Sequence, residues 1–415
     1  MAMSEEYREL GVSIPIGPFH PALKEPIGFR IWVEGEKIVK ADIRFGHNYR
    51  GIELIGARRN WIQILYLAER ICGICSWSHQ FPLAQAIESL MDVRPPDRAN
   101  YIRVVVGELE RIHSHMLWLG VLGHEIGFDT LLHLTWGVRE KVMDALELIS
   151  GNRVNYAMAT IGGVRRDITE AKRDILLRKL DDLLKGVETL RDIVLTHKLV
   201  LLRTEGVGRY DRELALRLCL QGPMARMCGI RKDVRQDEGV AAYGDLGFRA
   251  IVARDVVGKD GCDAYSATAV RVAETIQSIN LVRDALMEMP PGPISAFPKP
   301  IVALTRASKA EGEAIGRYEA PRGEVIHYVR AAKSDKPKRW KVRAPSLINV
   351  YSTKWVFPGH QIADAVVIAA QPDPCIACTE RALIVDLDRG ERRVVDHAYL
   401  TELSRRKSKE VMGDV

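Results

Sequence analysis

Glu69-Arg70-Ile71-Cys72-Gly73-Ile74-Cys75 and Asp373-Pro374-Cys375-Ile376-Ala377-Cys378-Thr379-Glu380-Arg381 are the two stretches on which the reading of this chain turns. Two residues between the cysteines of each pair let both thiolates face one metal centre, so the pairs together can supply four sulfur ligands. Residues 76–374 separate them, against the roughly 12 to 20 residues between the halves of a local zinc finger or ribbon. A site made from both pairs must therefore join the two ends of a folded domain.

Working outward from Cys72, the apolar residues of 52–68 recur at helical spacing and lead into the first pair. Before them, Phe29, Ile31 and Val33 alternate up to Glu34-Gly35-Glu36, and Val39, Ala41 and Ile43 alternate after it, as in an antiparallel hairpin. Pro95-Pro96-Asp97 opens a long helix to about Leu122, a second spans 130–150, and 167–197 carries Leu176, Leu180, Leu183, Leu184, Val187, Leu190 and Val194 on one stripe. A further helix over 265–289 stops at Pro290-Pro291-Gly292-Pro293. The segment 319–351 reads as short strands around a basic hairpin at Lys333 to Arg343, expected to pack on the first hairpin. The predicted class is thus mainly α with small antiparallel β-sheets near both ends (α+β), as one domain over 1–381 followed by a charged tail, 382–415, that is poor core material.

With 415 residues, 47% hydrophobic and 27% charged, the chain can bury a full core. No signal peptide and no apolar run of transmembrane length are apparent. A net charge of +6 is mild for this length, and no nucleic-acid motif, Walker A loop or Gly-x-Gly-x-x-Gly is present. Seven cysteines do not make a disulfide framework. Cys219, Cys228 and Cys262 are read as buried small hydrophobes.

Spacing alone leaves structural zinc, an iron-sulfur cluster and a mixed-metal thiolate centre open. The flanks weigh against zinc: the first pair ends an apolar helix, and the second follows the apolar run Ala365 to Ala370. His79, four residues past Cys75, is placed to donate a hydrogen bond to a thiolate. Glu110-x-x-His113 is half of a carboxylate-bridged di-iron motif without a second copy, and reads as an ordinary helical pair.

Glu69 to His79 and Asp373 to Arg381 resemble the first and last cysteine signatures of the large, catalytic subunit of NiFe hydrogenases, most closely the membrane-associated, energy-converting branch related to the quinone-site (49 kDa-type) subunit of complex I. Gly17-Pro18-Phe19-His20-Pro21, Arg50-Gly51-Ile52-Glu53, Gly162-Gly163-Val164, Gly222 to Arg226, Glu319 to Gly323 and Arg343-Ala344-Pro345-Ser346 fit the same branch. The resemblance implies the family's helical-bundle fold and reversible reduction of protons to hydrogen. It implies Cys72 and Cys375 as terminal thiolates on nickel, with Cys75 and Cys378 bridging nickel to an iron that carries two cyanides and one carbon monoxide. Four soft thiolates suit nickel and low-spin iron.

By the same resemblance, Glu25 is the proton-relay carboxylate, and Arg322 projects over the metals with Asp373 as its partner. His79 would tune a cysteine ligand. Classical members end the last signature in a histidine that, with the counterpart of Glu53, holds an extra magnesium or iron ion, whereas the energy-converting branch often has arginine. This chain has Arg381 there, so an Arg381–Glu53 ion pair would replace that ion. The implied partners are an iron-sulfur small subunit, further iron-sulfur and membrane ion-pumping subunits, and a maturation protease that removes 382–415. The implied location is the cytoplasmic face of the membrane. Two other readings remain: a complex I-like redox subunit acting on quinone or sulfur compounds, and a non-enzymatic scaffold stapled by zinc.

Overall fold

A computed structural model describes residues 11–20, 23, 25–379, 381–382, 384–385, 392–393, 395 and 397–413; Lys24 and Glu380, and much of the stretch 383–396, lie outside them. The chain is mainly helical with small antiparallel sheets, as the sequence predicts.

The first sheet has the order β1 (Val12–Ile16), β2 (Gly28–Glu34), β3 (Lys37–Arg44). β2 and β3 form the expected hairpin, with Phe29, Ile31, Val33, Ala41 and Ile43 buried. A bulge between Trp32 and Val33 shifts the register, so Ile38 rather than Val39 faces the core. β1 went unread because it is short and carries Pro15, which only an edge strand tolerates.

The helix expected over 52–68 is two: α1 (Ile52–Ala57) and α2 (Gln63–Glu69). Asn60 Oδ1 accepts from the N–H groups of Ile62 and Gln63, starting a new helix, while the Trp61 backbone and indole N–H groups donate to Asp335 and Ser334 carbonyls. α3 (Ser76–Leu90) begins on Cys75, and α4 (Asp97–Glu125) follows Pro95-Pro96. α5 (Asp129–Ser150) ends on Gly151 at φ 80, where a left-handed residue closes the helix. α6 (Glu170–Thr196) buries its leucine stripe, Leu184 only half. Short helices then lead to α7 (Ala264–Glu288), capped by the Asp263 side chain. Cys219, expected in the core, is exposed: it sits at φ 54 just past the helix Arg212–Arg217, where the chain must turn outward.

α4 is the axis of the molecule, with α3, α5 and α7 packed around it. Because it is covered on all sides, even Glu108, Glu110, Arg111, His113 and His115 are buried. Charges at that depth persist only when paired. Glu108 accepts from Arg111 and Arg235, and Arg226 pairs with Asp233, Glu274 and Glu319.

The second sheet is β4 (Glu311–Ala320), β5 (Gly323–Ala332), β6 (Arg339–Arg343), starting earlier than expected and giving way to a helix at Ser346–Ser352. It lies on α3 and α1 rather than on the first hairpin. Gly316 permits this, since a Cβ there would stand 1.8 Å from the Pro82 carbonyl oxygen, and Gly56 leaves room for the Trp340 indole. The first sheet meets the later segment instead, through Ile38 N to His360 O at 2.8 Å and an edge contact of Phe29 with Phe357. The tail's basic run Arg405 to Lys409 is exposed on the helix His397–Met412.

Candidate metal centre

Cys72 follows α2, Cys75 caps α3, and Cys375 opens the single helical turn Ile376–Cys378. The fold brings all four together: Cys375 Sγ lies 2.8 Å from Cys378 Sγ and 3.2 Å from Cys72 Sγ, and Cys75 Sγ is 3.6 Å from Cys378 Sγ. All four sulfurs fall within 4.8 Å of one another and are buried. Among the described residues this is the only cluster of histidine, cysteine and carboxylate groups close enough to hold an ion.

Hydrogen bonds from Cys375, Cys378 and Cys75 push the Cys72 thiol well below its ordinary range, which favours one thiolate in the cluster. A second thiolate so close would be repelled unless a cation stood between them, which is the electrostatic signature of a metal cradle. The soft, all-sulfur donor set fits nickel and iron as the resemblance requires, and it would also accept zinc.

What surrounds the sulfurs weighs against a merely structural ion. Glu25 Oε2 accepts from Ala377 N at 2.8 Å, and burial together with the Cys72 charge raises its pKa. Arg322 is buried; its Nε donates to Asp373 O at 2.6 Å and its Nη2 to Asp373 Oδ1 at 2.8 Å, as the sequence reading paired them. Burial opposes the charge of Arg322, but Asp373 and the cysteines Cys375, Cys75 and Cys72 more than restore it. A zinc staple needs neither a fixed buried cation nor a carboxyl with a raised pKa. A mostly apolar cavity of about 130 Å³ reaches Glu25, Pro374 and Ile376 from the side of Phe29 and Ala369.

His79 is buried with its Nε2 3.3 Å from Cys378 Sγ, so it serves the far pair rather than the pair it follows in sequence. Burial lowers its pKa to about 4 and keeps the ring neutral. Glu53 does not present a free carboxylate: Oε1 accepts from Val342 N at 2.9 Å and Arg381 Nη1 at 3.2 Å, and Oε2 from Lys341 Nζ at 2.5 Å. Two cations on one carboxylate do not fit an extra divalent ion there.

Two residues matter more than the sequence reading allowed. Glu110 is no half-motif: its carboxyl oxygens accept from Trp77 N at 2.6 Å, Ser78 N at 3.0 Å and Ser78 Oγ at 2.5 Å, anchoring the first turn of the helix that Cys75 caps, while burial raises its pKa to about 8. Its neighbour His113 meets Arg139 instead. Arg50 reaches both cysteine loops, donating to Arg70 O, Ile71 O and Ala377 O at 2.7–2.9 Å. A buried glutamate on an apolar helix and an arginine beside a glycine were the available signals, but neither spacing names its partner.

Comparison with known proteins agrees with this geometry. Residues 50–124 match the family described as nickel-dependent hydrogenase, and residues 125–381 match that of the respiratory-chain NADH dehydrogenase 49 kDa subunit. The membrane-bound hydrogenase subunit alpha of Pyrococcus furiosus is 46% identical, over 98% of this chain and 96% of that protein. The carbon monoxide-induced hydrogenase of Rhodospirillum rubrum is 39% identical, over 89% and 99% respectively. A chain in the solved structure of the archaeal membrane-bound sulfane sulfur reductase superposes with a TM-score of 0.83 at 26% identity, covering 92% of this chain and 100% of that one. At 46% identity over nearly the whole of both chains, and with both family matches, the chain belongs to the nickel-dependent hydrogenase large subunits, in the membrane-bound branch related to the 49 kDa subunit of respiratory-chain NADH dehydrogenase.

Proposed function

We propose that this chain is the catalytic subunit of a membrane-associated, multisubunit NiFe hydrogenase that reversibly reduces protons to hydrogen. The observation that carries the reading is the convergence of Cys72, Cys75, Cys375 and Cys378 from opposite ends of the chain into one buried sulfur cluster. When bound, a nickel-iron centre bearing cyanide and carbonyl supplies the redox chemistry and the heterolysis of hydrogen.

The chain's own residues do the rest. Cys72, Cys75, Cys375 and Cys378 would hold the nickel, and Cys75 and Cys378 would also hold the iron. Glu25 holds and releases a proton beside the Pro374–Ile376 loop, its raised pKa making both protonation states accessible. Arg322 keeps a positive charge near the sulfurs, and Asp373 keeps that charge oriented. The remaining cysteines, Cys219, Cys228 and Cys262, belong to no second group that could hold a metal among the described residues, so they offer no electron relay. Electrons are therefore supplied by an iron-sulfur small subunit. Among the described residues no helix is long and apolar enough to cross a membrane, so attachment runs through membrane subunits, on the cytoplasmic side, whose coupling to ion pumping follows the branch. We include in this reading the removal of 382–415 by a maturation protease, which an intact mass reports.

Metal analysis together with infrared spectroscopy of the purified complex tests the proposal. One nickel per copy of this chain, iron well in excess of it because the partner subunits carry iron-sulfur clusters, and bands of iron-bound cyanide and carbonyl are expected; stoichiometric zinc without such bands would overturn it. The likeness to sulfane sulfur reductase favours one competing reading, a redox subunit acting on sulfur compounds. That reading predicts polysulfide reduction without nickel and without hydrogen uptake or evolution.

A further inference from the structure

Three hydrogen-bonded rings run inward to the metal ligands. Trp340 Nε1 donates to His327 Nδ1 at 3.1 Å, His327 Nε2 lies 3.1 Å from His79 Nδ1, and His79 Nε2 lies 3.3 Å from Cys378 Sγ. All three side chains are buried. They come from β6, β5 and α3, so no local sequence pattern relates them.

We propose that Trp340 and His327 are positioning residues that fix the direction of the whole chain, locking His79 as an Nε2–H donor to Cys378. The argument needs only the inventory of donors. An indole nitrogen donates and never accepts, so His327 Nδ1 must accept. A neutral imidazole carries one proton, which then sits on His327 Nε2 and points at His79 Nδ1. That nitrogen must accept in turn, so the single proton of His79 is on Nε2, aimed at sulfur. A doubly protonated His79 would set two donors face to face at 3.1 Å, unless His327 gave up its single proton and became an imidazolate.

The anchor is rigid. Trp340 packs where Gly56 has no side chain, because a Cβ there would stand 2.1 Å from indole Cε3. His327 stands opposite Gly316, on the strand pair that rests against α3. The consequence for Cys378 rests on the hydrogenase reading: a permanent donor withdraws charge from a bridging thiolate and keeps it from being a proton acceptor. The tautomer itself does not depend on any metal.

The test has two parts. In the full-length chain, deuterated and labelled with 15N-histidine, long-range 1H–15N correlation reports which ring nitrogen bears hydrogen, with assignments from His79→Gln and His327→Gln. Both His79 and His327 are expected as Nε2–H tautomers. His327→Gln, whose amide can accept from Trp340 and donate to His79, should preserve the His79 tautomer. Trp340→Phe and His327→Leu should turn it into a mixture. An Nδ1–H or doubly protonated His79 overturns the proposal, as does a pure Nε2–H tautomer in both Trp340→Phe and His327→Leu. If Trp340→Phe does not fold, His327→Leu alone decides.

In the assembled enzyme, Trp340→Phe with its metal content intact should lower the iron-carbonyl stretching frequency, because a thiolate without its donor returns charge to iron. An unmoved band, where His79→Phe does shift it, refutes the relay. Absence of all such bands in the wild type refutes the hydrogenase reading and leaves the tautomer result standing.

Discussion

Replacing Arg322 with methionine while Asp373 stays in place isolates the buried ion pair beside the cysteine loops. Arg322 makes three bonds here, two to Asp373 at 2.6 and 2.8 Å and one from Nη1 to Ser114 Oγ at 3.2 Å, and both charged side chains are nearly inaccessible. Arg322→Met strands the Asp373 carboxylate, whose Oδ2 already lacks a hydrogen-bond partner. Stranding a buried charge in this way costs about 3–5 kcal/mol. Asp373 also sits at φ 53, a left-handed backbone that costs a non-glycine residue about 1 kcal/mol and that the bond to its carbonyl helps to hold. Pro374 and Cys375 follow directly, so the ligand loop loosens with it.

The double variant Arg322→Met/Asp373→Asn removes the stranded charge. Its cost should fall short of the sum of the single costs by about 2 kcal/mol. Urea unfolding of the full chain, read as a shift in midpoint at constant slope, measures each corner of the cycle. A single-variant loss below about 1 kcal/mol, or additivity within about 0.5 kcal/mol, would falsify the view that this pair is buried and mutually dependent.

Three further outcomes are expected. Burial raises Glu69 to about 7 despite its bonds to Ala157 N and Arg70. The unfolded chain ionises that carboxyl near 4.5, so between the two values folding takes up a proton and stability falls as pH rises. Relative to Glu69→Gln, the wild type should lose on the order of 3 kcal/mol between pH 4.5 and 7, and a constant gap in urea midpoints would contradict this. Gly316→Ala places a Cβ 1.8 Å from the immovable Pro82 carbonyl oxygen, parting β4 from α3. A loss of about 3 kcal/mol or more in thermal or urea unfolding is expected, and wild-type stability would show the packing to be otherwise. Glu25→Gln should retain nickel and iron but slow hydrogen–deuterium exchange at the centre by about a hundredfold or more; unchanged exchange removes Glu25 from the proton route.

Much of the helical body was legible because burial on one face imposes a 3.6-residue period. The Leu176 to Val194 stripe emerged as the buried face of α6 for that reason, and the Pro290-Pro291 stop held at the end of α7. The misread elements are those governed by contacts remote in sequence. α1 and α2 separate because Asn60 caps a new helix and Trp61 is claimed by the 334–335 turn. The second sheet rests on α3 because Gly316 happens to face a carbonyl. Neither fact has a local signature.

The four thiolates were named by spacing, since soft ligands two residues apart can share an ion in any fold that lets them meet. The Arg381–Glu53 pair followed from the resemblance; whether the thiolates meet, which sulfur His79 touches, and that Lys341 joins Arg381 on Glu53 were left to the tertiary structure. Identity and spacing are properties of the chain as written, and they determine which chemistry is available. Direction, protonation and charge balance depend on what lies within a few ångströms, and only the folded molecule brings residues 79, 327, 340 and 378 that close.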